Sequence, residues 1–243
     1  MRSWIALPLA IVAGAGAALA ASEAEYAARR AVLVKAVEAD VRATRAYLGK
    51  AALDRRVIEA LAATPRHEFV PESQRSNAYM TRPLPIGYGQ TISQPYIVAV
   101  MTDLLALEPG DVVFEVGTGS GYQAAVLAPL VERVYTMEII EPLGIAARER
   151  LARLGYGNVE VRLGDGYYGL EAHAPYDAII VTAVAGHVPP PLIAQLKPGG
   201  RMAIPVGGSF FRQQLVLITK DAAGSVTTRR VLPVAFVPLT GGH

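Results

Sequence analysis

A glycine-rich turn between an apolar run and a helix-like run constrains the fold of this chain more than any other feature. The stretch VFEVGTGSGYQAAVLA runs from Val113 to Ala128 and has glycines at positions 117, 119 and 121. Glycine adopts positive φ and lets the backbone approach a ligand without a Cβ in the way. A strand that ends in such a turn and leads into a helix is typical of open α/β sheets, whose ligands bind beyond the carboxyl ends of the strands.

The rest of the chain after this turn alternates between predicted strands and helices. We predict helices at about residues 121–130, 142–154 and 191–196, and strands at 112–116, 134–139, 159–163, 177–181 and 201–206. Two further strands, 214–219 and 229–237, flank a short loop and predict a hairpin. This pattern predicts a Rossmann-like α/β fold: a mostly parallel twisted sheet with helices on both faces and an antiparallel C-terminal hairpin at its edge.

The chain before the sheet is organised differently. Residues 23–61 are rich in alanine and charge, with apolar residues at helical spacing, and predict an extension of two or three helices broken near Gly49 and stopped by Pro65. From Pro65 to Pro95 there are five prolines and two glycines, and turn signals throughout. A stretch of this length without regular structure is usually functional. A helix over residues 96–107 is predicted to follow it.

The N-terminus has the pattern of a secretory signal. After Arg2 there is no charge from Ser3 to Ser22, and the run ends in the small-x-small sequence Ala18-Leu19-Ala20. We predict a signal peptide over residues 1–21, with an uncleaved anchor as the alternative, and one domain over residues 22–243. The predicted location is periplasmic or secreted; it becomes membrane-anchored if the segment is retained, and cytoplasmic if the start is misassigned.

Composition excludes several classes of function. The chain has no cysteine, which rules out disulfides, thiolate metal sites and a cysteine nucleophile. Its net charge is +2 and its basic residues are scattered, so there is no electrostatic basis for binding nucleic acid. His67, His173 and His243 lack the spacing of metal ligands, so no metal is predicted. Once the N-terminal segment is removed, no membrane contact is expected either.

The residues around the glycine turn indicate a cationic ligand. The spacing E-x-G-x-G-x-G starts at Glu115, whereas the dinucleotide pattern G-x-G-x-x-G would need glycine where Tyr122 stands. A carboxylate beside the turn would repel a pyrophosphate but attract a cation. S-adenosylmethionine carries a sulfonium and an ammonium and no phosphate. We therefore predict that Glu115 and the turn residues Gly117, Thr118, Gly119 and Gly121 bind S-adenosylmethionine.

Two further acidic residues end the next two predicted strands. Glu138 can accept hydrogen bonds from both ribose hydroxyls, and Asp165, followed by Gly166, can accept one from the adenine amino group. Each carboxylate alone is also compatible with a helix N-cap or a solvated strand end, and the sequence Gly-Asp-Gly around Asp165 with an ordinary turn. Three acids in this order at successive strand ends favour S-adenosylmethionine. The predicted domain thus divides into N-terminal helices with a covering loop, residues 22–95, and a cofactor-binding core, residues 96–243.

Several sequence blocks resemble one known family. The unbroken block PIGYGQTISQP from Pro85 to Pro95 is the most specific of them. The other matches are Pro65-Arg66, Phe69-Val70-Pro71, VGTGSGYQ, Gly164-Asp165-Gly166, YDAIIVTA from Tyr176, Pro198-Gly199-Gly200 and Phe236-Val237-Pro238-Leu239. In these residues the chain resembles the protein-L-isoaspartate O-methyltransferase family, over about Leu53 to Leu239.

The resemblance implies both a fold and a reaction. The fold is that of class I methyltransferases, and the reaction moves a methyl group from S-adenosylmethionine to the α-carboxylate of L-isoaspartyl residues in damaged proteins or peptides. The ester then closes to a succinimide, which begins repair. The family's active-site serine corresponds to Ser93, and Thr91 is a candidate second hydroxyl. A carboxylate is already ionised at neutral pH, so the reaction needs alignment rather than a general base.

Other interpretations remain open from the sequence. Ser93 is also placed to cap the helix that follows it. The chain could methylate another carboxylate or small-molecule acceptor, or be an exported binding module without catalysis. It departs from the family at Thr81, where an acidic or amide residue is usual, and at Val184-Ala185-Gly186-His187-Val188. His187 is interpreted as a loop residue.

Overall fold

The computed structural model describes residues 22–208 and 212–242. The predicted signal segment and His243 therefore lie outside the described residues. The N-terminal region forms three helices, a small hairpin and a fourth helix before the main sheet begins. Their bounds are α1 Glu23–Ala43, α2 Arg45–Leu48, α3 Arg55–Ala63, β1 Leu84–Gly87, β2 Gln90–Ile92 and α4 Pro95–Leu104.

Local sequence signals explain where the first helices begin and end. The Ser22 side chain accepts a hydrogen bond from Glu25 N, and Glu25 Oε2 accepts one from Ser22 N (2.7 Å), so α1 starts with a complete capping box. Gly49 ends α2 in the left-handed region, with φ of 75°. α3 ends at Ala63, two residues before Pro65. The predicted helical extension and its breaks are confirmed.

The segment from Pro65 to Pro95 is more regular than its composition indicates. Two 3₁₀ turns, Arg66–Phe69 and Glu72–Asn77, precede β1 and β2, which pair antiparallel. The expectation of a stretch without regular structure is therefore wrong. The short strands alternate buried and exposed residues, and this pattern is too brief to stand out among prolines.

The main sheet has seven strands in the order β5-β4-β3-β6-β7-β8-β9. The five strands from β5 to β7 are parallel, and β8 and β9 continue the sheet antiparallel. This confirms the predicted fold class. The strands are β3 Val112–Val116, β4 Arg133–Glu138, β5 Val159–Leu163, β6 Tyr176–Val181, β7 Leu196–Val206, β8 Gln213–Lys220 and β9 Val226–Val234.

The helices between the strands are α5 Tyr122–Leu127, α6 Glu141–Arg153 and α7 Pro190–Ala194. α5 ends three residues before the predicted Leu130 and continues as a 3₁₀ turn, since Pro129 has no amide hydrogen for an α-helical bond. α4 likewise ends at Leu104 rather than 107, and β7 begins at Leu196 rather than 201, with a register shift beside Tyr176. β9, at Val226–Val234, also lies three residues earlier than the predicted 229–237, while the other boundaries move by two residues or fewer and the predicted element types hold.

Both faces of the sheet are buried, as a parallel sheet requires. One face, with Val113, Val134 and Ile180, packs against helices α3 to α6. The other, with Phe114, Ile179 and Met202, packs against α7 and the loops near it. Among the described residues, no helix is long and apolar enough to cross a bilayer.

The strand order places the ligand crevice. From β3 the chain moves outward through β4 to β5, and then returns to add β6 on the other side of β3. The connections after β3 and β6 therefore diverge, which opens a crevice at their carboxyl ends. The glycine turn, Gly117 to Gly121, begins at that crevice.

Candidate active site

The glycine turn is built for close contact. Gly117, Gly119 and Gly121 have φ of 92°, 53° and 85°, in the left-handed region that favours glycine. A Cβ on Gly117 would lie 2.6 Å from Thr182 Oγ1, and one on Gly119 would lie 3.3 Å from Ile86 Cδ1. The second contact shows that the β1–β2 hairpin lies over the turn.

Glu115 presents a buried carboxylate beside this turn. It is the penultimate residue of β3 and fully buried, and neither carboxylate oxygen has a hydrogen-bond partner among the described residues. Burial raises the pKa of Glu115 to about 8, and the Glu138 carboxylate adds to the rise. The nearby Thr136 hydroxyl acts in the opposite direction and lowers the pKa of Glu115. This hydroxyl also forms a hydrogen bond with Thr118 Oγ1, at 2.7 Å. A buried carboxylate without a partner is costly, so a bound cation would stabilise its charged form.

Glu138 is the last residue of β4 and holds two turns together. Its Oε2 accepts a hydrogen bond from Gly119 N at 2.7 Å, and its Oε1 accepts one from Ile140 N at 3.0 Å. The side chain is buried except at the cavity beyond the strand ends, which it lines with Gly117, Gly119 and Gly166. The carboxylate is thus fixed at the position from which it is predicted to bind the ribose.

Asp165 is used differently from the other two acids. Its Oδ1 accepts a hydrogen bond from Tyr167 N at 3.0 Å and caps the 3₁₀ turn Gly166–Tyr168. Gly166 lines the strand-end cavity, and a Cβ there would lie 2.5 Å from Val116 Cγ1. The structure thus shows the turn function of Asp165, and its contact with adenine stays a prediction.

Thr182 is a site residue that the sequence reasoning did not single out. It follows β6, and its Oγ1 donates a hydrogen bond to Gly117 O at 2.6 Å and lies 3.0 Å from Val116 O. The signal was available, because the residue after the strand that returns beside β3 faces the crevice. Thr182 fixes the first glycine of the turn.

Three neighbouring cavities meet at Thr91 and Thr182, which line all of them. The strand-end cavity contains Glu138 and Gly166. The inner cavity contains Glu115, Thr118, Ser120, Tyr122 and Ser93. The third is an open groove of about 640 Å³ that also reaches Ser93. The predicted donor-binding and acceptor-binding residues are thus brought to adjoining spaces.

Ser93 lies where the inner cavity and the groove meet. It is half-buried, and its hydroxyl makes no hydrogen bond with any described residue. The N-cap position of α4 is Gln94, and no side chain caps that helix. The interpretation of Ser93 as a helix cap is therefore wrong, because the helix begins one residue later. The hydroxyl is left available to a ligand.

Arg66 fixes the backbone at Ser93 and has no role assigned from sequence beyond its place in a family block. Its guanidinium is fully buried; Nε donates to Ala78 O (2.9 Å) and Nη2 donates to Ser93 O (2.8 Å). Its Cζ lies 4.7 Å from the centre of the Tyr122 ring, at the start of α5. Burial lowers the pKa of Arg66 and raises that of Tyr122 to about 12. Arg66 thereby links the serine to the helix that follows the glycine turn.

The C-terminal segment closes the site from the other side. Residues 237–240 line the strand-end cavity and residues 232–237 line the groove. Val184 N donates to Val237 O at 2.9 Å, and Leu239 N donates to Val184 O at 2.8 Å. Val184, where the sequence departs from the family, therefore contacts the C-terminal segment through its backbone. Any residue except proline can make both hydrogen bonds. Sequence reasoning noted the Phe236 block without giving it this role.

The remaining departures lie away from the cavities. Thr81 is exposed and lines none of the three. His187 is an exposed loop residue whose Nε2 lies 2.9 Å from Tyr167 Oη. Among the described residues, no cluster of histidines and carboxylates could hold a metal ion.

Comparison with known proteins gives one consistent family. Residues 45–243 match the family model described as Protein-L-isoaspartate(D-aspartate) O-methyltransferase. A relative from Syntrophobacter fumaroxidans named "Protein-L-isoaspartate O-methyltransferase 2" is 64% identical, over 94% of this chain and 93% of its own.

Two solved structures are similar as well. One titled protein-L-isoaspartate O-methyltransferase has a TM-score of 0.75 at 30% identity, covering 87% of this chain and 66% of that one. A putative protein-L-isoaspartate O-methyltransferase from Plasmodium falciparum, in complex with S-adenosyl-L-homocysteine, has a TM-score of 0.68 at 25% identity, covering 85% and 97%. The chain therefore belongs to the protein-L-isoaspartate(D-aspartate) O-methyltransferase family, whose methyl donor is S-adenosylmethionine.

Proposed function

We propose that this chain transfers the methyl group of S-adenosylmethionine to the α-carboxylate of L-isoaspartyl residues in damaged proteins or peptides, which begins their repair through a succinimide. Family membership over residues 45–243 supports the reaction. One observation of the structure carries the assignment of residues. The inner cavity is lined by both the unpartnered Glu115 carboxylate and Ser93, so a negative charge suited to a cationic donor and a hydroxyl suited to an anionic acceptor border the same space.

The residues that line the strand-end and inner cavities have the chemistry that the donor requires. Glu138 faces the strand-end cavity for the ribose, and Gly166 allows close approach of the adenine. Gly117 and Gly119 let Thr182 and Ile86 pack closely against the turn, and Glu115 offers a negative charge that balances the cationic methionine portion. When bound, S-adenosylmethionine supplies an electrophilic methyl group on a positively charged sulfur. Thr118 and Gly121 carry no charge, and their proposed contribution to donor binding is the shape of the turn.

Ser93 is proposed to hold the acceptor carboxylate through its hydroxyl. Because Arg66 fixes the Ser93 carbonyl from the buried side, that hydroxyl is kept at the opening between the inner cavity and the groove. Thr91 lines all three cavities and is the second hydroxyl at this junction. The isoaspartyl carboxylate is ionised at neutral pH, so no group has to remove a proton.

The chemical contribution of the protein is alignment and exclusion of water. The hairpin β1–β2 and the C-terminal residues 237–240 border the strand-end cavity and cover part of it. Holding the oxygen, methyl and sulfur in line lowers the entropic part of the barrier. A dry site also stops water from solvating the anion and the cation separately.

A paired assay tests this function. We would incubate the protein with S-adenosylmethionine labelled in its methyl group and either an isoaspartyl peptide or its aspartyl twin. Base-labile label is expected in the isoaspartyl peptide only. Equal labelling of the twins, or labelling only of small carboxylic acids, would support the alternative acceptor. Binding of S-adenosylmethionine without any transfer would support a non-catalytic binding module.

We also propose that residues 1–21 direct export to the periplasm or beyond. The cap of α1 supports this boundary, since Ser22 starts the first described helix and would remain after cleavage behind residue 21. Sequencing the N-terminus of the protein from fractionated cells tests the proposal. A soluble exported chain that starts near Ser22 is expected; an intact N-terminus in the membrane or the cytoplasm would contradict it.

A further inference from the structure

The groove beside Ser93 is larger than the reaction requires. Its volume of about 640 Å³ is in the range that holds a drug-sized ligand, far more than one carboxylate needs. It runs from Thr91 and Ser93 toward α1 on one side and the end of β9 on the other. Because the groove is continuous with the site proposed for the isoaspartyl carboxylate, it is placed to take the part of the substrate chain that flanks the isoaspartyl residue.

One wall of the groove comes from outside the family match. The match starts at residue 45, whereas Asp40, Ala43 and Thr44, at the end of α1 and just after it, line the groove. Thr44 Oγ1 lies 2.7 Å from Tyr96 Oη, which also lines it. The helical extension therefore forms part of the wall of the groove.

The opposite end of α1 is anchored to the body of the protein. The Tyr26 ring stacks on the buried His67 ring with centroids 3.7 Å apart. Arg30 Nη1 donates a hydrogen bond to Tyr79 Oη at 3.1 Å. These contacts, with the buried Val37 and Val41, fix the helix so that its last turn keeps its place along the groove.

Asp40 is the only charged residue that lines the groove in the described part of the chain. Its carboxylate forms no ion pair or side-chain hydrogen bond with any described residue, and it is half-buried. The rest of the lining is apolar or neutral, with Ile97, Leu232 and Phe236 among it. In such surroundings a single negative charge is screened less than on an open surface.

We propose that Asp40 selects isoaspartyl substrates that carry a basic residue near the damaged position and disfavours those with an acidic one. This inference rests on the proposed function. The carboxylate attracts a lysine or arginine side chain laid along the groove and repels a glutamate there. The apolar walls bind the aliphatic portion of the same side chain, because lysine and arginine bury their methylene groups while their charged ends stay polar.

The test uses three isoaspartyl peptides that differ only in having Lys, Gln or Glu at the positions flanking the isoaspartyl residue. For the wild-type protein we expect kcat/KM to fall from Lys to Gln to Glu by about two- to fivefold per step, the range of a partly exposed ion pair. Asp40→Asn should remove most of the difference in kcat/KM among the three peptides, and Asp40→Lys should reverse its direction. Raising the salt concentration should flatten the order in the wild type.

The matched control is Glu38→Gln, which removes an acidic side chain from the same helix at a position that does not line the groove. It should keep the wild-type order. Equal rates for the three peptides in the wild type, or an unchanged order in Asp40→Asn, would overturn the role of Asp40. A wild-type protein that methylates none of the isoaspartyl peptides would instead overturn the proposed function.

Discussion

The two halves of the proposed active site, one for the donor and one for the acceptor, are assembled in opposite ways. The donor half comes from consecutive strand ends within the sheet: Glu115, the glycine turn and Glu138. The acceptor half is collected from α1, the hairpin β1–β2, the start of α4 and residues 232–237. Distant parts of the chain thus meet around Ser93. The sheet provides a binding site of a kind shared with other α/β folds, whereas we propose that the segments added around it decide what is methylated.

Because the donor half is built from closely packed strand ends, we expect it to tolerate substitutions less well than the acceptor half. Gly117→Ala gives the largest expected effect, a loss of affinity for the donor. The new Cβ would lie 2.6 Å from Thr182 Oγ1, at a φ of 92° that an alanine rarely adopts. We expect affinity for S-adenosylmethionine to fall on the order of 100-fold, measured by calorimetry. Gly110→Ala is the control, since a Cβ there has no atom within 4 Å. Equal binding by Gly117→Ala and wild type would show that the turn does not hold the donor.

Ser93→Ala separates the two halves. The substitution removes a hydrogen bond to a charged acceptor, so kcat/KM for an isoaspartyl peptide should fall about 10- to 100-fold. Affinity for S-adenosylmethionine should stay within about twofold of wild type, because the donor is held by the strand ends. Unchanged methylation would remove Ser93 from the mechanism. A matching loss of donor affinity would show that the halves are not separate.

The pKa of Glu115 gives the donor half a signature in pH. Burial raises that pKa to about 8 without ligand, so the group is mostly protonated at neutral pH. A bound cation favours the carboxylate, so donor binding releases a proton and strengthens as pH rises toward 8, by on the order of tenfold from about pH 6.5. Above the raised pKa the gain should level off.

Glu115→Gln is the matched variant for this pH dependence. The amide has nearly the same shape and cannot ionise, so donor binding should be weak and should not strengthen between about pH 6.5 and 8. Calorimetry in buffers of different ionisation enthalpy would also count the proton released by the wild type. A pH dependence that survives in Glu115→Gln would assign it to another group.

Arg66→Lys gives the smallest of these effects and concerns the acceptor half. Lysine keeps the charge but not the planar fork that reaches both Ala78 O and Ser93 O. We expect KM for the peptide to rise about fivefold with donor affinity unchanged. Arg56→Lys, at an exposed position, is the control. A melting temperature close to that of wild type would show that the variant is folded, and an unchanged KM would contradict a positioning role.

The same contrast explains what the sequence could predict. Strands, helices and the positions of Glu115 and Glu138 follow from periodicity and from the order of the elements, which are local or nearly local signals. The roles of Arg66, Thr182 and residues 237–240 depend on contacts between distant segments, and no spacing rule reports those. The family block locates Ser93, but the sequence does not show whether its hydroxyl caps the following helix. The start of α4 at Pro95, with Gln94 at the N-cap, answers that question.

The hairpin β1–β2 is an element that the sequence does not predict. Its strands have four and three residues and contain a proline, so their alternation is too short to be read against the turn signals around it. Leu84, Ile86 and Ile92 of these strands are buried in the hydrophobic core, and Ile86 also lies against the glycine turn; these are tertiary contacts. Asp165 is the reverse case: its role in the turn is a local signal that the structure shows, and its contact with adenine stays a prediction.

The most direct test is a crystal structure of the protein with S-adenosyl-L-homocysteine and an isoaspartyl peptide. We expect the ribose hydroxyls on Glu138, the homocysteine ammonium and sulfur on the side of Glu115, and the isoaspartyl carboxylate at the Ser93 hydroxyl with its flanking residues in the groove along α1. A nucleoside bound away from the strand ends, or a peptide that leaves the groove empty, would contradict the division of the site into these two halves.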